Sequence, residues 1–379
     1  MSTLKADTIQ AATTNGSLSI ATQGTGGIAI DGMPHKNLLM NGSMVAAQRG
    51  TTFANPGSGS YTLDRWRIFY GSAGVVTVTQ DTDTPTVAEA GTDFVNSLKV
   101  DVTTADASIG AGDLYLIQQR IEGLNWGRLG FGATGASSVT ISFWVKSPKT
   151  GTHTVSIRNS ALNRSYPAEY SVSSADTWEK KSVTIAGDTT GTWLTTNGIG
   201  AYIDWALAVG STFQGTEGTW EAANDVSTSN QVNCMDNTAN NFFLTGVQLE
   251  AGAAATDFEH PSSYGSELLR CRRYYYRVTT ADGDMAMLVD NWSTTAGYAA
   301  WHHYTEMRTT PTFGRSGATD FLIYSAGGSD NTTAVAANSN NPYMTEVVFT
   351  VSSGLVAGDS GRAYFDGGGT RWLEFDAEL

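Results

Sequence analysis

The apolar residues of this chain occur in short alternating segments, separated by turns rich in glycine, aspartate and asparagine. In one segment Val139, Ile141 and Phe143 alternate with residues that are mostly polar. Because successive side chains of a strand point to opposite faces, this spacing predicts a β-strand with one buried face. Similar segments occur at 98–102, 155–157, 183–185, 203–209 and 243–249. Short strands of this kind over about 200 residues predict an antiparallel two-sheet sandwich or jelly roll.

The composition agrees with an all-β fold and limits the possible functions. Gly is frequent at 42 of 379 residues, Pro is rare at 8, and only 15% of the residues are charged. This mix favours many short strands joined by turns. The formal net charge is −14. Because binding to phosphate backbones needs clustered Lys and Arg, we expect no nucleic-acid partner.

The two cysteines and the hydropathy pattern help to predict the cellular compartment in which the protein is made. Cys234 and Cys271 do not make a disulfide framework in a chain of this length, and Cys271 is predicted to be a buried free thiol. The N-terminus has no apolar signal core, and no run approaches the roughly 18 apolar residues of a membrane span. We therefore expect synthesis in a cytoplasm, exit by lysis only, and no membrane insertion.

The segment 242–277, FFLTGVQLEAGAAATDFEHPSSYGSELLRCRRYYYR, is interpreted as a junction between two β domains. A buried strand is followed by a small-residue turn, a strand-like TDFEHP and a helix predicted over 260–277. That helix carries three consecutive tyrosines and the arginines Arg270, Arg272, Arg273 and Arg277. We expect these arginines to pair with carboxylates of neighbouring strands or protomers, and phosphate binding is the alternative.

A second polar motif lies near the start of the first β domain. The phrase NLLMNGSMVAAQRGTTF is followed, after a Gly/Ser turn, by YTLDRWRIFYGSAG. Buried charges and amides are tolerated only when they have partners. Arg49, Asp64 and Arg65 are therefore interpreted as a structural polar lock that ties the first strand to the sandwich. A catalytic role is the alternative, but no activated nucleophile lies near them in sequence.

These two segments together resemble bacteriophage tail fibre and minor tail structural proteins. In that family a jelly-roll domain opens with NLL-NG-F--QRG and Y--DRW, ends in GVQLE-G--AT-FE, and continues into an E-L--C-RYY helix. The matching opening positions are Asn37, Asn41, Gln48, Arg49, Asp64, Arg65 and Trp66. The resemblance covers most of 37–277, and MRTTPTF and the last 20 or so residues resemble the family's C-terminal head. SFWVKSPKTGTHTVSIRN also resembles, more distantly, carbohydrate-binding modules.

The resemblance implies a domain organisation and a function. The expected parts are an N-terminal virion-attachment segment (1–36), a jelly-roll domain (37–259), the linking helix (260–277) and a receptor-binding β domain (278–379). The implied protein is a homotrimer in the virion tail, docked on a tail or adaptor protein by its N-terminus. It would bind a host surface polysaccharide or lipopolysaccharide through the distal domain. The alternatives are a purely structural tail or decoration protein and a glycan-degrading tailspike.

The residues of the attachment segment (1–36) also predict how it becomes ordered. It is rich in Thr, Gly, Ala and Ile, and is too small and polar to bury a core of its own. We expect it to order against copies of itself or a partner, and a floppy tail is the alternative.

Metal and cofactor chemistry is weakly supported, and we expect neither a cofactor nor a metal. His302 and His303 would point to opposite faces of a strand, so both cannot easily bind one ion. The Asp81/Asp83 and Asp282/Asp284 pairs could bind calcium, but such pairs are also ordinary turn chemistry.

Enzymatic activity is not expected. Glycoside cleavage needs two carboxylates across a cleft, and the nominated pairs are Glu217 with Glu221 and Glu250 with Asp257. No nucleophile elbow, P-loop, Rossmann fingerprint or zinc-protease motif occurs.

Sugar binding is the better-supported chemistry, because aromatic rings stack on sugar C–H surfaces while amides and carboxylates bind the hydroxyls. Each aromatic residue could instead lie in the core. The candidates in the C-terminal domain are Trp292, Tyr298, Trp301, Tyr304, Tyr324 and Trp372. Trp292 is expected to be the most exposed, since it lies in the turn-like DNWSTTAG. Trp144 and Trp220 are further candidates in the jelly roll.

Overall fold

The structure is a computed structural model that describes residues 36–281 and 283–379. All but the last residue of the predicted attachment segment therefore lies outside the described residues. Every strand pair in the described residues is antiparallel, and the few helices are short. The predicted all-β fold is confirmed.

The first eleven strands form a jelly-roll-like sandwich of two sheets. The six-stranded sheet has the order β1-β3-β4-β11-β6-β9, and the five-stranded sheet has the order β2-β5-β10-β7-β8. The strands are β1 (Thr52–Ala54), β2 (Trp66–Tyr70), β3 (Val75–Asp81), β4 (Ser97–Thr104), β5 (Leu114–Glu122), β6 (Val139–Lys146), β7 (Gly151–Asn159), β8 (Ser165–Val172), β9 (Glu179–Ile185), β10 (Ile199–Val209) and β11 (Asn241–Ala251). Two short helices, α1 (Val87–Ala90) and α2 (Gly123–Trp126), lie in the connections.

The inner faces of the two sheets share one hydrophobic core. Trp205 of β10 lies opposite Ile117 on one side and Val155 on the other. Its ring centroid is 5.5 Å from that of Trp66, and both side chains are completely buried. Aromatic pairs at this spacing add about 0.5–1.5 kcal/mol to the stabilisation that burial of their area provides.

One strand differs from the sequence prediction. β6 was expected to have one buried face, but all its residues from Val139 to Val145 are buried. Trp144, on the face expected to be polar, packs with Phe94, Trp178 and Phe243 in a small hydrophobic cluster on the outside of the sheet. Trp144, a sugar-binding candidate from the sequence, therefore covers a face of the sheet.

The first asparagine of the NLLMNG phrase, Asn37, fastens the start of the described chain to β11. The Asn37 side chain accepts from the N–H groups of Leu39 and Leu249, both at 3.0 Å, and donates to Val247 O at 2.9 Å. A Cβ at Gly42 would lie 2.1 Å from Val247 O, so only glycine allows this approach of the two backbones.

The linking helix is shorter than predicted. α3 spans Tyr264–Arg272 instead of 260–277. It begins at a capping box in which Ser263 and Ser266 exchange hydrogen bonds. It ends before Tyr275, because Tyr275 is the first residue of a strand that pairs with the C-terminal strand.

The remaining nine strands form a three-stranded sheet, β12-β20-β15, and a closed barrel, β13-β14-β18-β17-β16-β19. They are β12 (Tyr275–Thr280), β13 (Met285–Asn291), β14 (Ala296–His302), β15 (Thr312–Arg315), β16 (Phe321–Ser325), β17 (Gly328–Asn340), β18 (Met344–Val351), β19 (Ser360–Phe365) and β20 (Arg371–Asp376). From its sequence, the tail SGRAYFDGGGTRWLEFDAEL (360–379) is predicted to form a final hairpin with a Gly-rich turn. β19 and β20 do not pair with each other, because β19 closes the barrel while β20 lies between β12 and β15.

Two members of the predicted polar lock, Arg49 and Arg65, contact the C-terminal part of the chain. The Arg49 guanidinium lies 3.3 Å from the centroid of the Tyr275 ring and 3.4 Å from a carboxylate oxygen of Glu378. Arg65 is 2% exposed, forms an ion pair with Glu378, and lies 3.6 Å from the Tyr274 ring centroid. The lock was expected to act inside the sandwich, but these contacts join the sandwich to the segment beyond it.

Asp64 completes this set from within the sandwich. It accepts hydrogen bonds from the backbone and side chain of Gln48, at 3.1 and 2.6 Å. The Gln48 amide also donates to Tyr275 O at 2.9 Å. Burial raises the pKa of Asp64, and Arg49 opposes this shift.

The basic cluster lies at the same junction. Arg273 donates to both oxygens of Glu122, at 2.7 and 3.0 Å, and Tyr274 Oη donates to Glu122 at 2.6 Å. Arg270 pairs with Glu267 at 3.0 Å and Arg277 with Glu374 at 2.7 Å. Arg272 instead stacks on Tyr304. The predicted pairing with carboxylates of neighbouring strands is confirmed for Arg273 and Arg277, whereas Arg270 pairs within its own helix.

We predict that Glu122→Gln weakens this junction. The Glu122 side chain is 1% exposed, whereas that of Arg273 is 27% exposed. Breaking a fully buried ion pair costs about 3–5 kcal/mol, and we expect roughly 2 kcal/mol because Arg273 keeps access to water. The free energy of unfolding in urea measures the effect. Glu217→Gln, in an exposed loop of the sandwich, is the control, and equal stability of the two variants would contradict the prediction.

Candidate functional site

The six aromatic residues predicted to bind sugar are divided among different places in the C-terminal part. Trp292 and Tyr298 line one surface pocket, and Tyr324 lines the groove beside it. Trp301 and Tyr304 lie together in an aromatic cluster near the junction. Trp372 lies on the three-stranded sheet beneath Arg277.

Trp301 has structural contacts. Its indole N–H donates to Tyr276 Oη at 2.7 Å, and its ring is stacked on Phe375 with centroids 5.9 Å apart. Tyr276 also bonds His303 Nδ1 at 2.5 Å. Burial lowers the pKa of His303. These contacts fix the Trp301 ring against the core of the C-terminal part.

Tyr304 and Trp372 each lie under an arginine. The Arg272 guanidinium is 4.1 Å from the Tyr304 ring centroid, and the Arg277 guanidinium is 4.4 Å from that of Trp372. A guanidinium within about 6 Å of an aromatic ring makes a favourable cation–π contact. One face of each ring is therefore already occupied by an arginine of the junction.

Trp292 and Tyr298 lie in a different environment, on the outside of the barrel. Trp292 is 80% exposed, the highest value among the large hydrophobic residues that the structure describes as exposed. The pocket beside it has a volume of about 570 Å³. Its walls also contain Asp290, Asn291, Asn338, Glu346, Gly358 and Asp359. An exposed aromatic face with a few convergent polar groups is the usual composition of a small-molecule site.

The β13–β14 hairpin positions Trp292. Trp292 N donates to Ala296 O at 3.0 Å, which closes the turn. Inside the turn, Ser293 Oγ accepts from the backbone N–H groups of Thr295 and Ala296, at 3.2 and 3.0 Å. The same hairpin is bonded to the neighbouring loop, since Asn291 N donates to Asp359 O at 2.8 Å. The turn and the opposite wall of the pocket are thus held together by the backbone.

The strand register brings the remaining side chains to the pocket. Asp290 on β13 lies opposite Tyr298 on β14, and Ala300 on β14 lies opposite Glu346 on β18. Because side chains two residues apart share a face, Tyr298 and Ala300 belong to the same outer row. Asn338 on β17 donates to Glu346 at 2.6 Å.

The pocket is lined with acidic groups. Asp290, Glu346 and Asp359 line it, and its described lining contains no Lys, Arg or His. Asn291 also lines it, with a side chain that is 2% exposed. Among the described residues neither polar atom of the Asn291 side chain has a hydrogen-bond partner.

A larger groove of about 850 Å³ adjoins the pocket on β13, β19 and β16. Asp290 lines both concavities, so they form one continuous surface. Tyr324 contacts Tyr364 edge to face, with centroids 5.3 Å apart. Arg362 lies opposite Leu288 and opposite Tyr324 in the register of the barrel. This groove is less acidic than the pocket, because Arg362 is part of its lining.

Several lining residues were missed by the sequence reasoning, namely Asp290, Asn338, Glu346, Asp359 and Tyr364. They come from strands and loops that are up to 74 residues apart along the chain, from 290 to 364, and only the barrel register makes them neighbours. Asp290 had a usable signal, since it lies two residues before Trp292 in an alternating strand.

The nominated carboxylate pairs lie in the sandwich. Glu250 is buried and accepts from Thr256 N and Oγ1, both at 2.8 Å, while Asp257 contributes its backbone oxygen to Gln248 at 3.3 Å. Glu217 is exposed. Glu221 is hydrogen-bonded to a carboxyl that was not nominated, Asp225.

The carboxyl groups of Glu221 and Asp225 are hydrogen-bonded to each other, and this contact contributes to the pKa shift of each. Hydrogen bonds from Thr216 lower the pKa of Glu221. Burial raises the pKa of Asp225, and the adjacent Glu221 adds to that shift. The nearby Trp220 ring packs against Phe131, Tyr166 and Trp193, and its N–H donates to Ala186 O at 2.7 Å. Trp220 thus has a packing role at one end of the sandwich.

The nominated metal ligands have other partners. Asp83 accepts from Trp178 Nε1 at 2.9 Å and pairs with Lys146, while Asp81 accepts from Asp83 N. Asp284 bonds Ala281 N at 3.1 Å, and Asp282 is not among the described residues. His302 is exposed. No group of three or more potential metal ligands occurs within 36–281 and 283–379.

The structure also describes the state of the two cysteines and the hydropathy of the helices. Cys234 and Cys271 are both buried free thiols, as predicted for Cys271. Burial raises the pKa of Cys234 to about 12. None of the described helices is long and apolar enough to cross a membrane.

No family model matches the sequence, and no curated protein matches it. Among solved structures, the chain is similar to the enzymatically active domain of tailspike protein 4 of bacteriophage CBA120, at 16% identity and a TM-score of 0.31. That match covers 58% of this chain and 22% of the tailspike chain. TmCBM61 in complex with β-1,4-galactotriose matches at 10% identity, 57% and 98% coverage and a TM-score of 0.27. The family 11 carbohydrate-binding module of the Clostridium thermocellum cellulase Lic26A-Cel5E matches at 10% identity, 54% and 99% coverage and a TM-score of 0.27.

We predict stability effects of different size for two of the tryptophans. Trp301→Ala removes a ring that packs against the core of the C-terminal part, and we expect a loss of about 2–3 kcal/mol. Trp292→Ala removes a ring that is 80% exposed, and we expect a change within about 0.5 kcal/mol. Thermal unfolding of both variants measures this. A large loss for Trp292→Ala would show that its ring supports the barrel instead.

Proposed function

We propose that this protein binds a glycan through the outer surface of its C-terminal barrel, without chemical conversion of the glycan. The observation that carries the proposal is the pocket in which the exposed Trp292 and the partly buried Tyr298 meet amide and carboxylate side chains. Aromatic rings can stack on sugar C–H surfaces, and carboxylates and amides can accept and donate hydrogen bonds with hydroxyl groups. The adjoining groove gives a chain of sugars room to extend past Tyr324.

We further propose that the protein is a bacteriophage tail fibre in the virion tail. The sequence resemblance at the NLLMNG, YTLDRW and GVQLEAG segments supports this assignment. The N-terminal segment would dock on a tail or adaptor protein, and the barrel would contact a host surface polysaccharide or lipopolysaccharide. The protein would be made in the cytoplasm of the host.

A homotrimeric fibre would suit weak sugar sites. One open pocket on a surface gives modest affinity, but linked copies raise the effective concentration of the remaining sites once one has bound. We therefore predict a trimer. Light scattering at micromolar concentration should give three times the mass of the chain, and a monomer under these conditions would contradict the prediction.

Binding without catalysis is supported by the carboxylates of the sandwich. Glycoside hydrolysis uses two carboxyl groups roughly 5–10 Å apart, with the sugar between them. Glu221 and Asp225 are hydrogen-bonded to each other, so no sugar fits between them. Both carboxylate oxygens of Glu250 already accept hydrogen bonds, which come from Thr256 and Gln248.

The test is binding of the full-length protein to host cells and to their extracted surface polysaccharide. We expect Trp292→Ala to weaken binding by at least about tenfold, equivalent to about 1.4 kcal/mol. Tyr264→Ala is the matched control, because Tyr264 is 57% exposed on α3, outside the barrel.

Three outcomes are informative. If Trp292→Ala binds as tightly as the wild type, the glycan site lies elsewhere on the protein. Absence of binding by any form would favour the purely structural tail or decoration protein. Release of new reducing ends from the polysaccharide would favour a glycan-degrading tailspike.

A further inference from the structure

We propose that the Trp292 pocket selects glycans that carry a free, protonated amino group over neutral and anionic glycans. This inference rests on the proposed glycan binding and adds the class of sugar. It follows from the charge and placement of the groups around Trp292.

Carboxylates flank Tyr298 on both sides. Asp290 lies directly opposite Tyr298 on one neighbouring strand. On the other neighbouring strand Val348 lies opposite Tyr298, and Glu346 is the next outward residue of that strand. Asp359 is held close to the β13–β14 hairpin because its backbone oxygen accepts a hydrogen bond from Asn291 N. The aromatic centre of the pocket is therefore bordered by acidic groups from separate elements.

These carboxylates are not neutralised within the described chain. Asp290, Glu346 and Asp359 take part in none of its ion pairs. The hydrogen bond that Glu346 accepts comes from the neutral amide of Asn338. The cation that lines the adjoining groove is Arg362, which lies opposite Leu288, one outward position away from Asp290. Arg362 is thus on the far side of Asp290 from Trp292.

A ligand that brings its own positive charge is the natural complement of this arrangement. An ammonium group binds the face of a tryptophan through the ring quadrupole, and Trp292 presents an open face. Hydrogen bonds from an ammonium to carboxylates are stronger than those between neutral groups. A uronic acid or phosphate group would instead meet like charges, in a protein whose formal net charge is −14.

The experiment compares four probes of equal length with the full-length protein by calorimetry, at a mildly acidic pH where amines are protonated. The probes are a glucosamine oligomer, an N-acetylglucosamine oligomer, a galacturonic acid oligomer and a lysine oligomer. We expect the glucosamine oligomer to bind at least about tenfold more tightly than each of the others. Added salt should reduce this preference, since it screens exposed charges.

A paired set of variants tests the mechanism. Glu346→Gln with Asp359→Asn should abolish the preference for the amine oligomer over the acetylated oligomer. Asp93→Asn with Glu217→Gln removes the same charge from exposed sites on the sandwich and should keep the preference.

The outcomes separate this inference from the proposed function. Trp292-dependent binding that is equal for the amine and acetylated oligomers, or stronger for the anionic oligomer, overturns the charge selection and leaves glycan binding intact. Equal binding of the lysine oligomer shows that the site recognises charge without sugar, which also overturns it. If no glycan binds, including the host polysaccharide, both the inference and the proposed function fail.

Discussion

The arrangement of this molecule depends on buried charges that find their partners only across the junction. Arg65 is almost inaccessible to water, and its partner Glu378 is one of the last residues of the sequence. Glu122 at the end of β5 is equally inaccessible, and its partners Arg273 and Tyr274 come after the linking helix. A charge that is buried without a partner costs several kcal/mol. The sandwich and the strands beyond it therefore satisfy each other electrostatically, and their relative placement follows from these pairs.

The sandwich was the most predictable part of the fold. Alternation in β6, β10 and β11 is a local property, so the residues themselves indicate strands. The turns between them are equally local, because Gly, Asp and Asn favour particular backbone conformations. What alternation does not reveal is how a face is covered. Trp144 on the expected polar face of β6 is buried because Phe94 and Phe258 come over it from distant loops.

The junction and the pocket were less predictable, for a physical reason. The polar lock was recognised from its residue types, but the Arg65–Glu378 contact joins positions 313 residues apart. The helix boundary was misplaced because Tyr275 has a strand partner, Asp376, that only the fold supplies. In the pocket, Trp292 was identified from its turn-like surroundings. Glu346 could not be identified from the sequence, because it lies near Trp292 only through the pairing of β14 with β18.

The route of the chain at the junction has a mechanical consequence. The polypeptide leaves the sandwich through α3, forms the barrel, and returns so that Leu379 O accepts from Tyr61 Oη at 3.0 Å and also from Arg120. A force that pulls the barrel away from the sandwich is thus carried by two connections in parallel, one covalent and one made of hydrogen bonds and ion pairs. The second must rupture before the first can extend, so the barrel should resist tilting as well as separation. Removal of the last two residues, Glu378 and Leu379, would weaken this second connection, while the contacts of Glu122 with Arg273 and Tyr274 would remain.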